Sequence, residues 1–331
     1  MYAPSLYIFI FQREGEGVVF FLLLMMLPLV CNAAENNRLT SRPYIAGDSF
    51  RTIADHIFDD WTVNLDPTNP NYPPCVDATA DLNPEAIKSG DIIFTRLVNF
   101  EHFVKNIAPR IKVKYIVVSH NQVHDHSSPG KYKDFLESEN LIAWFGQNCD
   151  LPYEHPKFVP IPIGLSNKHW DHSREHSTWL ARFKTASPVD RTTLLYVNVN
   201  VTTNPRVRVP VVDYFKTLSF CTVIPSWKPY PQFLKDLAQS KFVLSPHGNG
   251  LDCHRTWEAL YMGCIPVVKT STLDPVYKDL PVLIVEKWED ITREFLEEQY
   301  KRLKQGTYCY EKLYFDYWET LIREYQKPYK S

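Results

Sequence analysis

The chain has no CxxC pair, no GxGxxG loop, no internal repeat and no surplus of charge, and each absence closes off a class of function. Without cysteines at ligand spacing, structural zinc is not expected, although seven cysteines are present. Without a GxGxxG after the first strand, a nicotinamide oxidoreductase is the least favoured enzyme class. Lys and Arg number 36 against 38 Asp and Glu, for a net charge of −2, so nothing draws the whole protein to nucleic acid. An anionic ligand would need basic residues gathered locally. The most apolar run, Val18 to Val30, is shorter than the roughly 17 to 25 residues that span a bilayer.

What is present is an ordinary globular composition, 44% hydrophobic and 14% aromatic over 331 residues. That length suits two domains of roughly 100 to 200 residues each. The run VVFFLLLMMLPLV, followed by small residues at Cys31-Asn32-Ala33-Ala34, reads as a signal-peptide core or anchor over 1–33, although Glu14 and Glu16 offset Arg13 ahead of it. It implies the secretory pathway, in the endoplasmic reticulum or Golgi lumen, with membrane association through the apolar segment. A non-functional leader would leave the protein in the cytoplasm. Beyond it stand Cys75, Cys149, Cys221, Cys253, Cys264 and Cys309, of which Cys253 and Cys264 read as packed thiols.

Apolar strands alternate with helical spacing along the rest of the chain. Asp91–Phe94, Tyr115–Val118, Leu141–Phe145 and Phe158–Ile163 form one series over 44–188. A second series over 189–300 holds strands at Leu194–Val199, Thr222–Ile224, Phe242–Leu244, Ile265–Val268 and Val282–Val285, with helices between them. Helices at Phe295–Gln305 and Glu311–Tyr325 follow, and the segment 301–331 is expected to pack back across the two domains. Alternation of this kind predicts an α/β fold with parallel sheets and right-handed crossovers, as two facing doubly wound halves. Ligands of such sheets collect at the carboxyl ends of the strands.

The densest chemistry lies in Lys241–Lys269, KFVLSPHGNGLDCHRTWEALYMGCIPVVK, which reads as strand, glycine loop, helix and strand. Gly248 and Gly250 are expected to take backbone angles closed to other residues. The loop opens a helix whose free N–H groups and dipole suit a phosphate. Asp252, Arg255 and Glu258 follow at threefold spacing, as one polar stripe, with Gly263 ending the helix.

The residues SPHGNG at 245–250, RTWEAL at 255–260 and GCIPVV at 263–268 resemble exostosin-family glycosyltransferases. The resemblance covers about Leu194 to Asp290, with a weaker echo in KFVPIPIG at 157–164. It implies a GT-B fold, a C-terminal domain that binds a nucleoside-diphosphate sugar, inversion at the anomeric carbon, and a single-module relative of the large polymerases. A glycan, protein or lipid hydroxyl would be the acceptor.

In that role Arg255 would grip the diphosphate in bidentate fashion and Glu258 would accept from ribose hydroxyls, with Ser245, His247, Gly248, Asn249 and Gly250 lining the loop. The alternative is an intrahelical Arg255–Glu258 ion pair above a plain tight turn. Arg206 and Arg208 are the next basic residues, with Arg206 the donor-site candidate and a solvated loop equally open. No DxD stands in a glycine-rich turn, so no metal or other cofactor is expected. For the base that takes the acceptor proton, SHNQVHDH after the Tyr115 strand offers His120 or Asp125, against a polar surface loop or, with His124 and His126, a metal cluster. His155, His169, His172 and His176 read as solvent-facing. A nucleotide-sugar epimerase or hydrolase, or a non-catalytic nucleotide or glycan binder, remain the competing functions.

Overall fold

A computed structural model describes residues 40–59, 82–121, 129–148, 150–151, 154–168, 170–184, 190–225 and 227–330. The leader, most of the Pro- and Asn-rich segment 66–84, the pair His124 and His126, Asp125, His169, Cys75 and Cys149 lie outside the described residues.

Two parallel five-stranded sheets organise the chain, both inside one compact unit, Arg38–Ser331. The first is built from β1 (His56–Phe58), β2 (Asp91–Arg96), β3 (Tyr115–His120), β4 (Leu141–Gln147) and β5 (Phe158–Ile161), in the order β1-β2-β3-β4-β5. The second uses β6 (Thr193–Val197), β7 (Cys221–Val223), β8 (Ser240–Leu244), β9 (Ile265–Lys269) and β10 (Leu283–Val285), in the order β10-β9-β8-β6-β7. Ten α-helices are described: α1 (Gly47–Arg51), α2 (Leu97–His102), α3 (Lys133–Leu136), α4 (His176–Lys184), α5 (Pro205–Lys216), α6 (Tyr230–Ala238), α7 (His254–Tyr261), α8 (Asp274–Tyr277), α9 (Arg293–Lys304) and α10 (Phe315–Gln326).

The near-continuous apolar runs explain the parallel pairing, since a strand covered on both faces has no polar side to alternate with. All six residues of β3 are buried. Neighbouring residues of β4 show the two covers, because adjacent strand side chains point to opposite faces. Trp144 stacks on Phe100 with ring centroids 4.3 Å apart, beneath α2 and α3. Phe145 meets Tyr325 of α10 edge-on at 5.3 Å, on the other face. The C-terminal helix thus covers the first sheet, aided by Phe315 against Phe50 at 5.1 Å and by Gln326, whose Nε2 donates to Gly90 O at 2.8 Å.

The two sheets differ in winding. In the first, strand order follows chain order throughout, so like-handed crossovers lie on one face and the other is left for α1 and α10. Only the second sheet has the reversal of a doubly wound sheet, between β6 and β8. The core divides accordingly. Tyr196, Val243 and Val268 face a core continuous with that of the first sheet, while Leu195, Val197, Phe242, Leu244 and Val267 face a separate one under α5 and α9.

Most helices lie where apolar spacing places them, α6 over the same residues. Apolar spacing predicts a helix over Val211–Leu218, whereas α5 begins six residues earlier, at Pro205. Pro210 reads as a breaker, but it stands exposed on the outer side of a helix already started by the Asn204 cap and a proline in the first turn. The short elements β1, α1 and α8 carry too few residues for periodicity to mark them.

Replacing Phe145 with Ala should lower unfolding free energy by about 3 to 5 kcal/mol in urea titrations. A double-mutant cycle with Tyr325→Ala should give a coupling of about 0.5 to 1.5 kcal/mol, which strict additivity would contradict.

Candidate functional site

The loops after β6 and β8 face each other across the reversal of the second sheet, joined by Asn204, whose Nδ2 donates to Gly248 O at 2.9 Å, and by one buried arginine. Arg208, on the first turns of α5, donates from Nε to His247 O at 3.0 Å, from Nη1 to Asn200 O at 2.7 Å and from Nη2 to Pro246 O at 3.1 Å. Its Nη1 also bonds Thr203 Oγ1, and Nη2 lies 3.5 Å from Cys253 Sγ. Arg206, the expected donor contact, is exposed on the same helix. Residues two apart on a helix point about 200° from one another, so only one of the pair can turn inward.

The glycines of the loop serve by their size. Neither Gly248 nor Gly250 has a left-handed φ, contrary to the expectation from sequence. A Cβ on Gly248 would come within 2.6 Å of Arg208 Nη2, and one on Gly250 within 2.3 Å of Asn148 Nδ2, at the end of β4. Gly263, with φ of 67°, is the left-handed residue that closes α7.

Asp252 leaves the expected polar stripe. It precedes α7, is 4% exposed, and accepts from Ile163 N at 2.8 Å, Cys253 N at 2.9 Å, Trp257 Nε1 at 2.9 Å and Tyr277 Oη at 3.1 Å. Burial raises its carboxyl to about 6, and these donors limit the rise. Its own N–H donates to Asn148 Oδ1 at 2.9 Å, and His254 Nδ1 donates to Gly164 O at 2.8 Å. The carboxyl ends of β4 and β5 are therefore fastened to the start of α7.

On α7 itself, Arg255 Nε donates to Asn198 O at 3.1 Å, at the end of β6, while Nη1 is buried with no hydrogen-bond partner. No side chain caps the helix N-terminus. Burial and the neighbouring Arg208 charge both lower the Arg255 pKa from its ordinary value. Glu258, 6% exposed, is pushed up to about 7 by burial, against the pull of Arg255 and Tyr230. The two side chains sense each other's charge but do not close the intrahelical ion pair that their spacing allows.

Around Glu258 stand groups that sequence reasoning passed over. Tyr230, at the start of α6, turns its buried hydroxyl toward the Glu258 carboxyl without a well-aligned hydrogen bond. The ring of His176, from α4, stacks on Tyr230 at 3.5 Å and 6°, and its Nδ1 is buried without a partner. Burial, then His172, holds His176 down to about 3, so it is neutral and interior rather than solvent-facing. No local signal marks it, since its partner Tyr230 lies 54 residues further along the chain. Among the described residues no group of three or more His, Cys, Asp or Glu side chains is set to hold a metal ion.

The remaining expected site residues divide. Ser245 is buried and shares a 2.9 Å hydrogen bond with Thr256, tying β8 to α7. His247 is part-buried, with its carbonyl on Arg208, and Asn249 is exposed. His120 lies at the end of β3, beside the β5 end that Asp252 and His254 hold, and within reach of the His254 charge. Its Nε2–H donates to Pro162 O at 3.0 Å and its Nδ1 accepts from Asn121 N at 2.8 Å. Burial lowers it to about 4. As placed, the ring is neutral and both nitrogens are engaged. Asp125 lies outside the described residues.

The Glu258 value carries a pH prediction. Between its ordinary 4.5 and about 7 the folded protein holds a proton the unfolded chain has released, so its stabilising share falls as pH rises through that range. The lowered histidines act oppositely, but only up to their ordinary value of 6.5. From pH 6.5 to 8, Glu258→Gln should therefore remove about 1 kcal/mol of stability loss seen in the parent, measured by urea unfolding at both pH values. Equal slopes would show that Glu258 is ionised throughout.

No family model and no curated protein matches this chain.

Proposed function

We propose that the protein is an inverting glycosyltransferase that moves a sugar from a nucleoside diphosphate to a hydroxyl of a glycan, protein or lipid. One observation carries the reading. Two guanidinium groups, that of buried Arg208 and that of part-buried Arg255, stand on either side of the sheet reversal at an uncapped helix N-terminus, and Arg255 Nη1 is buried with no protein partner. A strand reversal is where open α/β sheets take their ligands, and a helix start with spare N–H and guanidinium donors suits a diphosphate.

The chemistry follows from that placement. The acceptor oxygen forms its bond to the anomeric carbon as the bond to the diphosphate breaks. The electron pair leaves on the phosphate oxygen, where Arg255 and the helix end stabilise the charge, and the acceptor proton goes to a base. Glu258, with Tyr230 beside it, is suited to hold ribose hydroxyls. Of the two bases offered by sequence, His120 would first have to release its hydrogen bond from Asn121, so the reading favours Asp125. The resemblance to exostosin-family enzymes and the seam between two parallel sheets both agree with a GT-B arrangement. The apolar run Val18–Val30 agrees with a setting in the secretory pathway.

The test is a thermal-shift screen against UDP, GDP, CMP, ADP and NAD. One nucleoside diphosphate at a hundred times its Kd should stabilise the protein by about 2.7 kcal/mol, and Arg255→Ala should abolish the shift. Equal shifts in both proteins, or none with any nucleotide, would overturn the assignment. With a donor in hand, Asp125→Asn should leave nucleotide binding intact and cut transfer about 10²- to 10⁴-fold in a product assay, while full activity would place the base elsewhere.

A further inference from the structure

Trp227 is 84% exposed, the most open large hydrophobic side chain among the described residues. Indole is usually buried, and one left in water on an ordered loop is unusual. Pro225 and Pro229 stand two residues to either side, and Pro229 N-caps α6 with φ of −54°, so the ring of that proline fixes the backbone entry to the helix. The next residue, Lys228, is paired with Asp236, which also accepts from Tyr196 Oη at 2.8 Å and from Gln232 Nε2 at 3.2 Å. Trp227 is therefore presented from a braced support.

The loop is also tied to the anion site. Asn198 donates from Nδ2 to Ile224 O at 3.0 Å, and Asn198 O is the acceptor of Arg255 Nε. Three residues after Trp227, Tyr230 turns its hydroxyl toward Glu258, one turn along α7 from Arg255. The Arg255 guanidinium, the Glu258 carboxyl with the Tyr230 phenol, and the Trp227 indole thus belong to connected elements, and a nucleotide joins phosphate, ribose and base in that order.

We propose that Trp227 is the stacking platform for the nucleobase of the donor, and so a determinant of nucleotide affinity that does not touch the reacting atoms. The proposal rests on the donor reading above. A planar base offers a π-face to indole, and such stacking commonly accounts for a factor of about ten in affinity or more.

The experiment is calorimetric titration of the full chain with the nucleoside diphosphate selected by the screen and, separately, with inorganic pyrophosphate. Trp227→Ala should weaken the nucleotide about ten-fold, leave pyrophosphate unchanged and keep the parent melting temperature, since the side chain supports nothing in the core. Trp227→Phe should restore most of the nucleotide affinity. Unchanged nucleotide affinity in Trp227→Ala, with binding still lost in Arg255→Ala, would overturn the platform and leave the donor site standing. A change only in the acceptor KM would assign the indole to the acceptor instead and also overturn the proposal. Failure of the parent to bind either compound would remove both.

Discussion

The second half of the molecule depends on one buried guanidinium. Arg208 fills the space between the loops after β6 and β8 and meets their carbonyls with its fork of donors. Carbonyls left bare there would each cost about 1 to 3 kcal/mol, so the loops are held in one arrangement. Gly248 is small because Arg208 is beside it. Arg255 shares this neighbourhood with the Arg208 cation, which with burial lowers its pKa, against the opposing pull of Cys253, Glu258 and Tyr196. Two guanidinium groups close enough to sense each other, one with an unpartnered Nη1, make the electrostatic case for an anionic ligand.

The second constraint is the seam between the sheets. Asp252 and Asn148 exchange support across it, and His254 adds a further bond to Gly164. The buried acid tolerates its position because four donors converge on it, and the loss of any one would leave a desolvated oxygen. The seam and the return of α10 to the first sheet place the ends of β3, β4 and β5 in the same compact unit as Arg208 and Arg255.

Much of the fold was legible because strand and helix periodicity belong to contiguous residues. The second-sheet strands, α6 and the strand-loop-helix unit around Arg255 follow from apolar spacing and from Gly263. Strand order was not legible, since nothing local tells β6 to lie between β7 and β8, or the first sheet to run in chain order. The site was half legible. Arg255 and Glu258 stand out in the motif, but Arg208, His176 and Tyr230 gain their importance from partners elsewhere in the chain.

By itself the sequence determined the α/β class, the second-sheet strands and the polar helix start, because these depend on the order of apolar and polar side chains. Only tertiary structure decided which of Arg206 and Arg208 turns inward, that the loop glycines are needed for room, and that His176 is interior. Each of these depends on an atom brought from far along the chain, as Arg208 is to His247 over 39 residues and Asp252 to Asn148 over 104. Burial then sets the charge states: the same carboxyl that would be ionised on an open helix rises to about 7 at Glu258, because water has been excluded from around it.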